Sequence, residues 1–194
     1  VIQQSPTPLA LPFAQVRAEV EGHRWRPELT VREIPAPGRI ARDSMAIEAT
    51  VIHLGRELGS GRLILLHEPA GNESWEGDYR LVTMARAAVD AQIAVDPLLG
   101  EVAWSWLIDA LEEHDAVHRA PAGTTTSVLS RPFGQLEDDP DENHVELRAS
   151  WTPVIDDPSD IVPHLEAWQD LLCRTCGMDP MPEGVVQIAP RRAL

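Results

Sequence analysis

The strongest periodic signal in the chain lies between residues 97 and 113. There Leu98, Leu99, Val102, Ala103, Trp106, Leu107, Ala110 and Leu111 recur every three to four positions, with Ser105, Asp109, Glu112 and Glu113 opposite. A continuous apolar stripe of this kind predicts an amphipathic helix from Pro97 to about Glu113. A shorter helix is predicted over about 11 to 22, because Phe13, Val16 and Val20 follow Pro12 at helical spacing. A last helix is predicted over roughly 161 to 176, with Asp160 as N-cap and Pro163 inside the tolerant first turn.

Elsewhere the period falls to two. In "HVELRASW" Val145, Leu147, Ala149 and Trp151 alternate with Glu146, Arg148 and Ser150, so that strand buries one face. "ELTVREIPAP" reads as a short strand stopped by Pro35 and Pro37. "MAIEATVIHLGRELGSGRLILLHEP" reads as a hairpin around a glycine-containing turn, and "NESWEG" as the turn before another strand, "DYRLVTMARAAV". "GRLILLH" is apolar on both faces, which predicts a central strand covered by helices. "TTTSVLS" adds a strand, and acidic "EDDPDEN" is a solvated loop. Strands joined by tight turns, with helices between groups, predict an α+β fold: a mainly antiparallel sheet of about five to six strands packed against two to three helices. No linker or fixed-period repeat divides the 194 residues, so 1–194 reads as a single domain with 1–9 and 189–194 frayed.

Composition narrows function by exclusion. The formal net charge of −15 repels phosphate backbones unless the arginines cluster, and disfavours an anionic membrane surface. Direct nucleic-acid binding is therefore not expected, whereas basic proteins or basic patches on complexes are attracted. There is no lysine; all 16 basic residues are arginine. That excludes Schiff-base lysines and the phosphate lysine of a P-loop. "VIQQSPTPLALPFAQVRAEV" lacks a basic n-region and an apolar h-region, and no run approaches the roughly 18 apolar residues of a membrane span. A cytoplasmic protein is the expectation.

The arrangement that most invites a catalytic reading is "LLCRTCGMDP", where Cys173 and Cys176 are spaced C-x-x-C. Redox use of that motif needs its nucleophile at a helix N-terminus, where the dipole stabilises thiolate. Here Gly177 and Pro180 mark a helix end, so both thiols lie at the negative end of the dipole. Zinc needs further ligands; His164 and His144 are available, but their spacing does not ask for a metal. Ordinary buried or half-buried cysteines are the expectation. "HDAVH" gives His114 and His118 the i, i+4 spacing of a zinc-protease helix, with Asp115 in place of glutamate. The helix is ending there and no third ligand is marked, so two surface histidines are expected, with a metal site as the alternative. "GSG" at 59–61, between Arg56 and Arg62, reads as a flexible hairpin bend rather than an anion-binding turn, since no helix follows it. No cofactor is indicated.

Six tryptophans stand against two phenylalanines and one tyrosine. Trp106 lies on the helix stripe and Trp151 on the buried strand face, so both read as core. Trp104 is about 200° from Trp106 around the helix, and Trp75 sits in a polar turn. With Arg56 and Arg62 they make the candidate contact surface, tryptophan and arginine being enriched at interfaces, against the alternative that these tryptophans are partly buried under a neighbouring loop.

Five segments in order, "RPELTVREIPAP", "GRLILLHEPAG", "DPLLGEVAWSWLIDAL", "VELRASWTP" and "LEAWQDLLC…PEGVV", resemble an actinobacterial family of uncharacterised proteins catalogued as domain of unknown function 3000. The resemblance spans about residues 25 to 188 and brings no catalytic residue or cofactor with it. The resulting expectation, leaning against an enzyme, is a non-catalytic acidic accessory domain that binds a basic protein or complex. The alternatives are a small metal-dependent enzyme using His114, His118, Asp115 or the cysteine pair, and a small-molecule-binding sensor.

Overall fold

In the computed structural model, which describes residues 12–178, period-two segments become six strands and period-3.6 segments become helices. Helix α1 (Phe13–Gly22) is followed by β1 (Leu29–Ile34), β2 (Asp43–His53), β3 (Arg56–Asn72) and β4 (Gly77–Ala88). One-turn helix α2 (Ala91–Ala94) and α3 (Leu99–Glu113) precede β5 (His118–Ser130), β6 (Glu142–Pro153) and α4 (Val162–Thr175). The strands form one antiparallel sheet in the order β1-β2-β3-β4-β6-β5. The α+β class and the antiparallel sheet expected from the sequence are both present.

Register gives this sheet a simple numerical logic. Val31 lies opposite Ala49, Leu63 opposite Thr83, Thr83 opposite Ala149 and Ala149 opposite Gly123, so odd pairs with odd across the sheet except beyond the register shifts at Val51/Ile52, His67/Asn72 and Arg119/Ala122. Odd-numbered side chains face the helices, and even-numbered ones point the other way. The odd face carries Met45, Ile47, Ala49, Val51, Leu63, Leu65, Tyr79, Leu81, Ala85, Leu147 and Trp151, all buried. Over it lie Leu165, Trp168, Leu171 and Leu172 of α4, Leu107 and Leu111 of α3, and Val16 and Val20 of α1.

Several expectations are corrected in detail. "GSG" is not a bend: Gly59, Ser60 and Gly61 are ladder residues inside β3, paired with β2 and β4. A Cβ on Gly61 would come within 2.3 Å of Leu172 Cδ2, so the glycines admit α4 rather than turn the chain. The turn is Leu54–Gly55, with φ of 49° and 75°, the two left-handed residues a tight hairpin requires. "GRLILLH" is central, but among the described residues helices cover one face only; on the other Arg62 is exposed, Ile64 half-buried and Leu66 buried. β5 begins at His118, six residues before "TTTSVLS", and α3 begins two residues after Pro97.

Asp160 does not cap α4. It accepts from the backbone N–H groups of Asp156 and Asp157 at 2.9 and 2.8 Å, while Asp157 accepts from Ser159, forming a capping box on the short turn that leads into the helix. On α3, Leu98 and Val102 are 58% and 42% exposed, so the apolar stripe is wider than the face the core takes. Trp106, expected in the core, is half-buried at its margin. The expectations for 1–9 and 189–194 lie outside the described residues.

Candidate functional site

The cysteine pair ends α4 as its sequence suggests. Gly177 has φ of 71°, and the N–H of Met178 donates to the Cys173 carbonyl at 2.9 Å, the closing pattern of a left-handed helix end. Both thiols are free; Cys173 is buried and Cys176 half-buried. Burial pushes the Cys173 thiol up to about 11 against the pull of Arg26, and burial pushes Cys176 up to about 12. Neither is a ready thiolate at neutral pH.

His114 and His118 do not share a helix face. His114 is the C-cap of α3, Asp115 takes a left-handed φ of 52°, and His118 opens β5. Neither is a free surface residue: both are half-buried, His118 with Nδ1 2.8 Å from the Ala116 carbonyl and His114 with Nε2 2.8 Å from Asp170 Oδ2. Among the described residues no cluster of three or more histidine, cysteine or acidic side chains is arranged to hold a metal ion.

The Asp170 contact opens onto a polar network that the sequence reading missed. Asp170, buried on α4, receives Arg26 Nη1 at 3.1 Å on its other oxygen. Arg26 also reaches Glu28 at 3.4 Å, and its backbone N–H donates to Gln169 Oε1 at 3.1 Å. Gln169 in turn donates to Glu166, which lies 3.5 Å from His23 Nε2. Burial alone would raise the Asp170 carboxyl; His114 and Arg26 outweigh it and hold it below the ordinary value. The hydrogen bond from His114 raises that imidazole. The network clamps α4 to the 23–28 segment and the end of α3. Its one sequence signal is the polar pair Gln169–Asp170 set between Trp168 and Leu171 on a helix buried almost all round.

The residues expected to form a contact surface lie apart. Arg56 is exposed beside the β2–β3 turn, and Trp75 is half-buried in the β3–β4 turn at the opposite end of β3. Trp104 packs between α3 and β5, where a Cβ on Gly123 would sit 2.7 Å from its ring. Arg62 stands on the even face of the sheet with Arg32, Arg86 and Arg148. Three surfaces therefore offer themselves. Acidic side chains project from α3 (Glu101, Asp109, Glu112, Glu113) and from the 137–142 loop, all exposed. A cleft of about 510 Å³ between α2, α3 and the end of α4 is lined by Ile93, Leu98, Val102, Trp106, Arg174 and Cys176. The third is the even face itself.

The family described as protein of unknown function (DUF3000) matches residues 10–186, and the chain belongs to that family. No curated protein and no solved structure matches it. Among the described residues, no helix is long and apolar enough to cross a membrane.

Proposed function

We propose that the chain is a non-catalytic interaction domain that binds a basic protein partner through its acidic helix-and-loop side. The observation that carries this reading is the segregation of charge. The net charge is −15, and while four exposed arginines share the even face of the sheet, α3 and the 137–142 loop present exposed carboxylates, of which Glu113 and Asp141 alone pair with arginines (Arg174 and Arg131) among the described ion pairs. Such a field steers a basic partner to the acidic side and weakens with salt. The test is capture from a native lysate by the intact protein and by a variant with Asp138→Asn, Asp139→Asn, Asp141→Asn and Glu142→Gln. A stoichiometric basic partner, retained by the wild type and lost by the variant or in high salt, supports the reading. Equal capture by both sinks it.

The cleft beside α3 favours a second reading, a small-molecule sensor. Its volume of about 510 Å³ is of ligand size, and its walls are largely apolar. Trp106 on its wall would report occupancy as a change in tryptophan emission, absent in a Trp106→Phe variant.

A further inference from the structure

The even face of the sheet goes beyond the basic-partner reading, because its chemistry is opposite to that of the rest of the molecule. One register row crosses all six strands as Arg32, Glu48, Arg62, Met84, Arg148 and Thr124. The row beside it is Ile34, Ala46, Ile64, Val82, Ser150 and Ala122, and the row on the other side adds Arg86 and Glu146. Among the described residues no helix covers the centre of this face, where a shallow depression of about 400 Å³ has Ile64, Val82, Met84 and Ala122 for its floor and Arg62 and Arg148 for its rim.

The rim is positive toward solvent despite its ion pairs. Glu48 accepts Arg32 at 2.5 Å on one oxygen and Arg62 at 3.1 Å on the other, and Glu146 accepts Arg148 at 2.7 Å. The arginine side chains are 72%, 55% and 66% exposed, but Glu48 and Glu146 only 19% and 14%. The carboxylates lie beneath and the guanidinium groups on top. Each guanidinium carries five N–H donors, so donors remain after its pairing is met.

We propose that this face docks an amphipathic helix of a partner protein whose apolar stripe is bordered by aspartate and glutamate. The apolar floor takes the stripe, and the arginine rim takes the carboxylates bidentately. The dimensions agree: six strands about 4.8 Å apart give a face about 24 Å across, the length of a helix of about 16 to 18 residues. At a physiological Debye length of about 8 Å the negative charges of distant surfaces are screened, and the local arginines decide what can approach. A basic helix would meet four arginines. A single-stranded nucleic acid would find no stacking platform, since the aromatic rings of the described strands, Tyr79 and Trp151, point into the core and the other tryptophans sit on helices or connections. With a basic partner on the acidic side, the protein would act as an adaptor between surfaces of opposite charge.

The experiment measures fluorescence anisotropy at physiological salt with three labelled probes. They are a helical peptide of about 18 residues with a leucine stripe flanked by glutamates, the same stripe flanked by arginines, and a thymidine oligonucleotide of similar length. The glutamate-flanked peptide should bind the wild type, and binding should fall at least tenfold in a variant carrying Arg62→Glu and Arg148→Glu. Circular dichroism checks that the variant is folded; should it not be, hydrogen exchange on the wild type locates the peptide, with protection expected in β3, β4 and β6. The proposal is overturned by no binding of the glutamate-flanked peptide, by equal or tighter binding of either other probe, by an unchanged affinity in the folded variant, or by protection confined to the helices.

Discussion

The two faces of the sheet are made by the same strands and the same alternation, yet they follow different physical rules. On the odd face, polar groups are rare and the central ones are tied down. The Trp168 indole N–H donates to Thr83 Oγ1 at 2.8 Å, Thr83 passes its own proton to the Arg62 carbonyl at 2.9 Å, and Trp151 donates to His164 Nδ1 at 3.1 Å. Across the centre of the even face the polar groups are charged and largely solvated; only toward the β3–β4 turn is one of its arginines, Arg80, buried and tied to Ser150, Thr152 and the Ala120 carbonyl. Burial makes the first face the source of stability. The second contributes little to folding, because exposed ion pairs are worth about 0 to 1 kcal/mol each. Side chains that stability does not need are free to serve contact.

The contrast is tested most severely in α4, the helix packed over the odd face. Trp168→Ala removes a fully buried side chain and should cost about 3 to 5 kcal/mol in urea unfolding. Asp170→Ala should cost a similar amount, about 3 to 5 kcal/mol, since it leaves Arg26 buried without its main carboxylate partner. A loss below about 1 kcal/mol for either would mean that the helices are held to the sheet by something other than this core.

Acid should also act from the buried side. Burial, with His118 nearby, pushes His164 down to about 4. Between the ordinary histidine value of about 6.5 and about 4, the unfolded chain therefore binds more protons than the folded one, and stability falls as pH drops through that window. The fall attributable to His164 is about 3 kcal/mol at most. His114 has the opposite sign: its raised pKa gives a contribution that is full below about 6.5 and lost as pH rises through the folded value. The depressed Asp170 contributes above its unfolded value of about 3.9 and loses that contribution in stronger acid. Urea midpoints at pH 6.5 and 4.5 should differ clearly in the wild type and less in His164→Gln. An unchanged difference in the variant would assign the acid sensitivity elsewhere.

How much of this was legible depends on how local the cause is. The end of α4 could be read from Gly177 and the thiols beside it because a helix terminus is set by a few neighbouring residues. Alternation in residues 145–151 announced a half-buried strand for the same reason. The Asp170 network was not legible, since Arg26 and His114 lie 144 and 56 residues away in sequence. The arginine face was hidden differently: its members are spread over β1, β3, β4 and β6, and only register aligns them. The misread "GSG" shows two demands competing for glycine, close helix approach and chain reversal. The true turn spends a leucine in the left-handed region, at a cost of about 1 to 2 kcal/mol. Leu54→Gly should therefore raise stability by about 1 kcal/mol, visible as a higher urea midpoint with an unchanged slope. No gain would indicate that the exposed leucine side chain compensates through a contact.

The smallest expected effect is the most informative about the even face. Arg62→Ala and Arg148→Ala together should change stability by no more than about 0.5 kcal/mol. Glu48 keeps Arg32 when Arg62 is lost, and Glu146, losing Arg148 from above it, becomes open to water with Arg86 beside it in the same row. The residual change should vanish as salt is raised, because these pairs are exposed and screened. A loss of 2 kcal/mol or more, persisting in salt, would make the arginines part of the fold, and the two faces would then differ in polarity but not in purpose. A near-zero change leaves four exposed guanidinium groups on an otherwise acidic molecule without a structural task, which is the condition under which a binding surface can be tuned independently of the core.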